Sequence, residues 1–136
     1  MEYAIQYPDW QYVVDPTQAT VDEIAHVIAS HPWHNGLDLY ERLGDVDKMA
    51  PVLDAGDDAH ESAFFCACVQ ANLFDVSVSL APAQPRSQIA RILMSPFKKG
   101  RFVQFERQTT DQAIALLRIW ASTPESELEH ILKQQK

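Results

Sequence analysis

Three histidines, His26, His31 and His34, fall within nine residues of one another, and the last two frame a proline and a tryptophan in "HPWH". Imidazoles bind zinc and serve as general bases, so their spacing is the first chemistry to weigh. A zinc centre needs three or four ligands converging in a tetrahedron. His26, His31 and His34 could supply them, joined by a carboxylate such as Asp22 or Asp38. Pro32 opposes that convergence, because it takes the pair off any helix and cancels the spacing that would bring the rings together. Neither an HExxH segment nor a CxxC pair is present. The stretch "ASHPWHNG" reads as the end of one helix and the turn into the next, with Trp33 anchoring it to the core. A small metal-binding protein or metal-dependent enzyme built on His26, His31 and His34 is the alternative, and no cofactor is expected.

The other chemistry-bearing types are sparse. The two cysteines, Cys66 and Cys68, lie in the apolar run "FFCACV". On a helix, residues two apart point about 200° from each other and cannot share a metal or pair. On a strand they would share a face, but the flanking residues lack β-branched character apart from Val69. Buried free thiols in a reducing compartment are expected. No GxSxG elbow occurs, and the four glycines form no phosphate-cradling cluster. Most carboxylates sit where helix starts are expected, complementing the helix dipole. The sequence therefore gives no enzyme signature.

Charge is distributed unevenly. The net charge is −8, yet residues 1–85 hold 14 acids and only two bases, Arg42 and Lys48. Arg86, Arg91, Lys98, Lys99, Arg101 and Arg107 follow with Glu106 as the one acid among them. The stripe "PFKKGRFVQFER" mixes Lys98, Lys99 and Arg101 with phenylalanines, a combination that can track phosphates and stack bases. The overall negative charge opposes that use, so nucleic-acid binding through residues 97–107 is a second alternative.

The acidic half also carries aromatic rings. Tyr7, Trp10, Tyr12, Trp33 and Tyr40, with Asp38, Glu41, Asp57 and Asp58, form the expected partner-binding set. Long-range attraction plus ring-bearing anchors suit capture of a basic protein partner. The functional expectation is an acidic protein–protein interaction module, an inhibitor of the immunity or antitoxin type that binds a basic toxin or nuclease. No membrane partner is expected: the longest uncharged apolar-rich run, Ser62–Phe74, has 13 residues, and a span needs about 20. The acidic start "MEYAIQYPDW" lacks the pattern of a signal peptide, so the expected location is cytoplasmic.

The elements that must position these residues read mostly as helices. Tyr3, Ile5 and Tyr7 alternate, as do Trp10, Tyr12 and Val14, predicting two short strands or an extended arm over residues 1–16. Thr20 with Glu23 makes a capping box for a helix at 21–30, ended by His31-Pro32. "LDLYERL" (37–43) predicts a second helix after the Asn35-Gly36 turn, stopped by Gly44. Asp45 caps "VDKMAPVLDA", Asp58 and Glu61 cap "SAFFCACVQANLF", and "RSQIARILM" (86–94) predicts a further helix. "FKKGRFVQFER" reads as a hairpin or extended loop. Thr109 with Gln112, and Thr123 with Pro124, start the last two helices.

Two stretches also share a pattern. "NGLDLYERLGDVDKMAPVLDAGDD" (35–58) resembles an ankyrin repeat, with Gly44 ending the first helix and "VLDAGDD" standing for the finger. "SAFFCACVQANLFDVSVSL" (62–80) resembles the next unit, with Ala67-Cys68 in the small-residue positions. Gly44 and Ala71 are 27 residues apart, against about 33 in that family. The resemblance implies protein binding on a concave face and brings no catalytic residues. The fold expected is thus all-α: a single domain of short helical hairpins, α-solenoid or ankyrin-like, with a short β or extended N-terminal arm. Its parts would be an arm at 1–16, a helical array at 20–95, a basic hairpin or loop at 96–108 and a helical hairpin at 109–136.

Overall fold

Alternation rather than helical spacing governs the middle of the chain. The computed structural model describes residues 1–56, 61–80 and 101–136. In order it runs β1 (Glu2–Gln6), β2 (Tyr12–Gln18), α1 (Val21–Ser30), α2 (Trp33–Arg42), β3 (Val52–Gly56), β4 (Ala63–Gln70), β5 (Leu73–Ser79), β6 (Phe102–Thr109), α3 (Thr110–Ser122) and α4 (Glu125–Lys133). Among the described residues the strands form one six-stranded sheet in the order β2-β1-β3-β4-β5-β6. Every neighbouring pair is antiparallel.

The all-α array of helical hairpins, and with it the α-solenoid or ankyrin-like architecture, is corrected to an α+β fold. The physical reason lies in two segments. In "AFFCACVQ", Phe64, Cys66 and Cys68 point to one face and Phe65 and Ala67 to the other. A strand with both faces covered reads as an unbroken apolar run, which spacing alone does not separate from a buried helix. Gln70 pairs with Leu73, so Ala71 and Asn72 form the tight turn between β4 and β5, with Asn72 at φ 61. Asparagine tolerates that left-handed conformation. Pro51 breaks the second segment: it ends the loop after α2, and Val52–Gly56 then runs as β3. The N-terminal alternation does produce β1 and β2, but as members of the sheet, with β2 continuing through Pro16 to Gln18. The expected hairpin or loop at 96–108 is, from Phe102 on, a single strand, β6. The expected helix at 86–94 and the Asp57-Asp58 pair lie outside the described residues.

The capping signals place helices where expected at three points. Thr20 and Glu23 form a complete capping box on α1, as do Thr109 and Gln112 on α3; each box contributes about 1 kcal/mol. α4 begins just after Pro124. α2 starts earlier than expected, at Trp33, so Gly36 is a helical residue. A Cβ at Gly36 would stand 2.7 Å from Pro51 Cβ and 3.1 Å from Tyr7 Cε1. The glycine is what lets the helix approach the β1 end and the start of β3 this closely.

One face of the sheet builds the core with the helices. Ile5, Leu53, Cys66, Val76 and Phe105 pair in one row across five strands, and Tyr3, Ala55, Phe64, Val78 and Val103 in the next. Ile24 and Ile28 of α1, Leu116, Leu117 and Trp120 of α3, and Leu128 and Leu132 of α4 join the same buried cluster. Trp120 is fully buried and stacks on Phe64 at 5.7 Å between ring centroids. Its indole N–H donates to Ser62 Oγ at 2.8 Å, and that hydroxyl donates to Glu125 Oε1 at 2.9 Å. The start of β4 is thus tied to α3 and to the first turn of α4. Arg118 reaches Asp22 across α3 and α1 at 2.7 Å; both groups are exposed, so the pair adds at most about 1 kcal/mol.

Candidate functional site

The sheet's other face makes the candidate site. Gln6, Val52, Ala67 and Asp75 pair in one row, and Ala4, Asp54, Phe65 and Ser77 in the adjacent one. All but Ala4 line a concave cleft of about 390 Å³, which Trp10, Met49 and Ala50 complete. Tyr12 pairs with Gln6 and extends the first row to the sheet edge, where its side chain is 49 % exposed.

Trp10 owes its place to an uncommon backbone. It sits in the β1–β2 turn at φ 68, a conformation that costs a bulky residue about 1–2 kcal/mol. Its amide donates to the Tyr7 carbonyl at 2.8 Å, and Gln6 Nε2 donates to the Trp10 carbonyl at 3.2 Å. The indole N–H donates to the Asp47 carbonyl at 3.3 Å, which ties the turn to the loop after α2. That loop carries Asp45 and Asp47, both exposed. The strained turn fixes a large ring at the edge of an apolar hollow.

Chemically, the cleft combines apolar walls with two carboxylates. Asp54 stands on β3 and Asp75 on β5, with β4 between them. Neighbouring strands lie about 4.8 Å apart and the two acids are also offset by two residues along the strand, so they originate about 12 Å from each other, too far to chelate one ion. Asp75 Oδ1 accepts the Arg107 amide at 3.0 Å, at an irregularity in β5–β6 pairing where Arg107 takes φ 55. In such a setting the attraction of a carboxylate for a cation exceeds its value in open water. An indole face at the rim adds cation–π attraction.

The expected partner-binding residues separate into groups. Trp10 and Tyr12 belong to the cleft face. Trp33 is 8 % exposed; its indole donates to the Ile28 carbonyl at 3.0 Å and its ring meets Phe74 edge-on, so it packs into the core. Tyr40 has its ring covered by the Lys48 ammonium, 3.7 Å from the centroid. Asp38 and Glu41 are exposed on α2. Asp57 and Asp58 lie outside the described residues.

The histidines do not assemble. His26 and His34 are exposed, while His31 is half-buried against Tyr7 and Trp33. Tyr7 Oη lies 3.0 Å from His31 Nε2 and 3.4 Å from the Pro32 carbonyl oxygen. Among the described residues no three His, Cys, Asp or Glu side chains are grouped to hold a metal ion. Burial lowers the His31 pKa from the ordinary imidazole range and raises that of the Tyr7 hydroxyl. The unfolded chain therefore takes up the His31 proton first as pH falls, and the folded state loses stability through that range. The urea midpoint is expected to drop between about pH 7.5 and about pH 5, and a His31→Asn variant to show a smaller drop.

Cys66 and Cys68 share the helix-facing side of β4 and are both free and buried. Burial pushes the Cys66 thiol well up and the Cys68 thiol up to about 11. Of the basic stripe's alternative nucleic-acid residues, Lys98 and Lys99 lie outside the described residues. Arg101 is paired with Glu129 at 2.9 Å, and Lys133 holds the same carboxylate at 2.9 Å.

Sequence reasoning missed Met49, Val52, Asp54, Phe65, Ala67, Asp75 and Ser77. For all but Met49, which lies in the loop before β3, the signal was the second alternation, the residues standing between the core positions of β3, β4 and β5. Among the described residues no helix is long and apolar enough to cross a membrane. No family model, curated protein or solved structure matches this chain.

Proposed function

We propose that this protein is an acidic capture module that binds a basic protein partner and acts as its inhibitor, in the manner of an immunity protein or antitoxin. The observation that carries this reading is the cleft on the sheet face, where Trp10, Tyr12, Met49 and Phe65 provide apolar contact beside Asp54 and Asp75. Aromatic anchors at the centre of a concave surface supply most of the affinity in protein interfaces. The surplus of acids in residues 1–85 supplies long-range steering toward a positively charged surface. The exposed Asp9 lies in the turn that carries Trp10, Asp45 and Asp47 lie in the loop tied to it, and Asp38 and Glu41 are exposed on the preceding helix, α2.

Affinity capture from the native host at low ionic strength tests it, using the full chain and a Trp10→Ala chain as paired baits. A basic protein should be retained by the first bait and lost from the second, and its own activity should be inhibited by the full chain. Retention of no basic protein, or equal retention by both baits, contradicts the reading.

A further inference from the structure

The lining of the cleft also specifies which basic group it receives. A lysine ammonium is a compact, strongly hydrated charge, whereas a guanidinium is planar, weakly hydrated and stacks on aromatic rings. The cleft offers little to replace an ammonium's water: Ala50, Val52, Ala67, Met49 and Phe65 are apolar, and Phe65 is 7 % exposed. It does offer an indole fixed at the rim by three hydrogen bonds at the Trp10 turn. The Asp75 carboxylate lines the cleft from β5, with β4 between it and the strand that carries Asp54, so an entering cation meets Asp75 and not a chelating pair. Gln6 and Ser77 add neutral polar groups that suit a flat, many-donor cation.

From these features, and resting on the basic-partner reading above, we propose that the cleft is the receptor for an arginine side chain of the partner. Its guanidinium stacks on the Trp10 indole with its charge met by a cleft carboxylate, and its methylenes cover Met49, Val52 and Phe65. The volume of about 390 Å³ accommodates one such side chain with part of its backbone.

The test uses the full chain and three small probes: N-acetyl-arginine amide, N-acetyl-lysine amide and N-acetyl-citrulline amide. The last keeps the shape of arginine without its charge. Chemical shifts of the Trp10 indole and the backbone amides of Val52, Ala67 and Ser77 report binding at the cleft. The arginine probe should shift them saturably at about millimolar concentration, with the lysine probe about fivefold weaker and the citrulline probe without saturable effect. Replacing Asp75 by Asn should weaken the arginine probe about threefold or more in a chain whose remaining spectrum is unchanged. Equal shifts from arginine and citrulline, a preference for lysine, or shifts confined to surface carboxylates away from Trp10 would each overturn the assignment. If the arginine probe fails while a basic partner is still captured through Trp10, the guanidinium assignment falls alone. If no basic partner is captured either, the basic-partner reading falls with it.

Discussion

A Trp10→Gly chain should fold nearly as stably as the parent and bind its partner at least about 30-fold more weakly. The two halves of that expectation have separate causes. Trp10 holds φ 68, where glycine is at ease and tryptophan is not, so the substitution relieves about 1 kcal/mol of backbone strain. Against this stands the loss of the indole's hydrogen bond to the Asp47 carbonyl and of its partial burial, of similar size. The two nearly cancel, and the urea midpoint should move by less than the equivalent of about 1 kcal/mol. Binding has no such compensation. A ring fixed in advance at the rim of an apolar cleft loses little entropy on contact, and removing such an anchor costs about 2 kcal/mol or more. A variant that binds as well as the parent would remove Trp10 from the interface. One that unfolds would make the ring a structural element of the turn.

The largest stability effect belongs to the other face of the sheet. Trp120→Ala should cost about 3–5 kcal/mol, a large part of the total stability of a domain this size. Trp120 is fully enclosed, stacks on Phe64, and shares a hydrogen-bonded chain with Ser62 and Glu125 that fastens α3 and α4 to β4. Alanine would leave a cavity where the ring had been, and Ser62 would lose its donor. Trp120→Phe keeps most of the stacking and should cost clearly less. Equilibrium urea unfolding of the three chains, with the slope unchanged, measures both differences. A loss below about 1 kcal/mol for Trp120→Ala would mean that the helical layer is not packed on the sheet as described.

Three helix starts and the two N-terminal strands were legible in the sequence, whereas the stretches read as capped by Asp45 and by Asp58 with Glu61 carry strands β3 and β4. Thr20 with Glu23, and Thr109 with Gln112, are local devices whose physics needs nothing beyond four consecutive residues, and both operate as read. The strands depend on long-range pairing. "AFFCACVQ" carries apolar residues on both faces, because Phe64 and Cys66 enter the core while Phe65 lines the opposite cleft. The alternation that marks a half-buried strand is therefore erased in β4, one of the two central strands of the sheet. Asn72 was the local clue: a single asparagine at the reversal ends β4 inside "SAFFCACVQANLF", the stretch read as one helix. Pro51 was another: it stands inside "VDKMAPVLDA", the stretch expected to follow the Asp45 cap, and it directly precedes β3. Charge and rings pointed toward Trp10 and Tyr12. Trp33 was read both as a core anchor of the "HPWH" turn and as a partner contact, and its burial matches the first of these. Asp54 and Asp75 carried no functional reading in the sequence; strand pairing sets Asp54 beside Phe65 and Asp75 beside Ala67, on either side of β4.

The account turns on attraction between this acidic surface and a positively charged partner, completed by contact at the cleft. The most direct measurement is the association rate of the captured partner with the full chain across ionic strength, from about 0.05 M to about 0.5 M salt. The rate is expected to fall at least about tenfold over that range, with Trp10→Gly changing the dissociation rate and leaving the association rate nearly untouched. A partner without a basic surface, or an association rate that stays flat with salt, would contradict it.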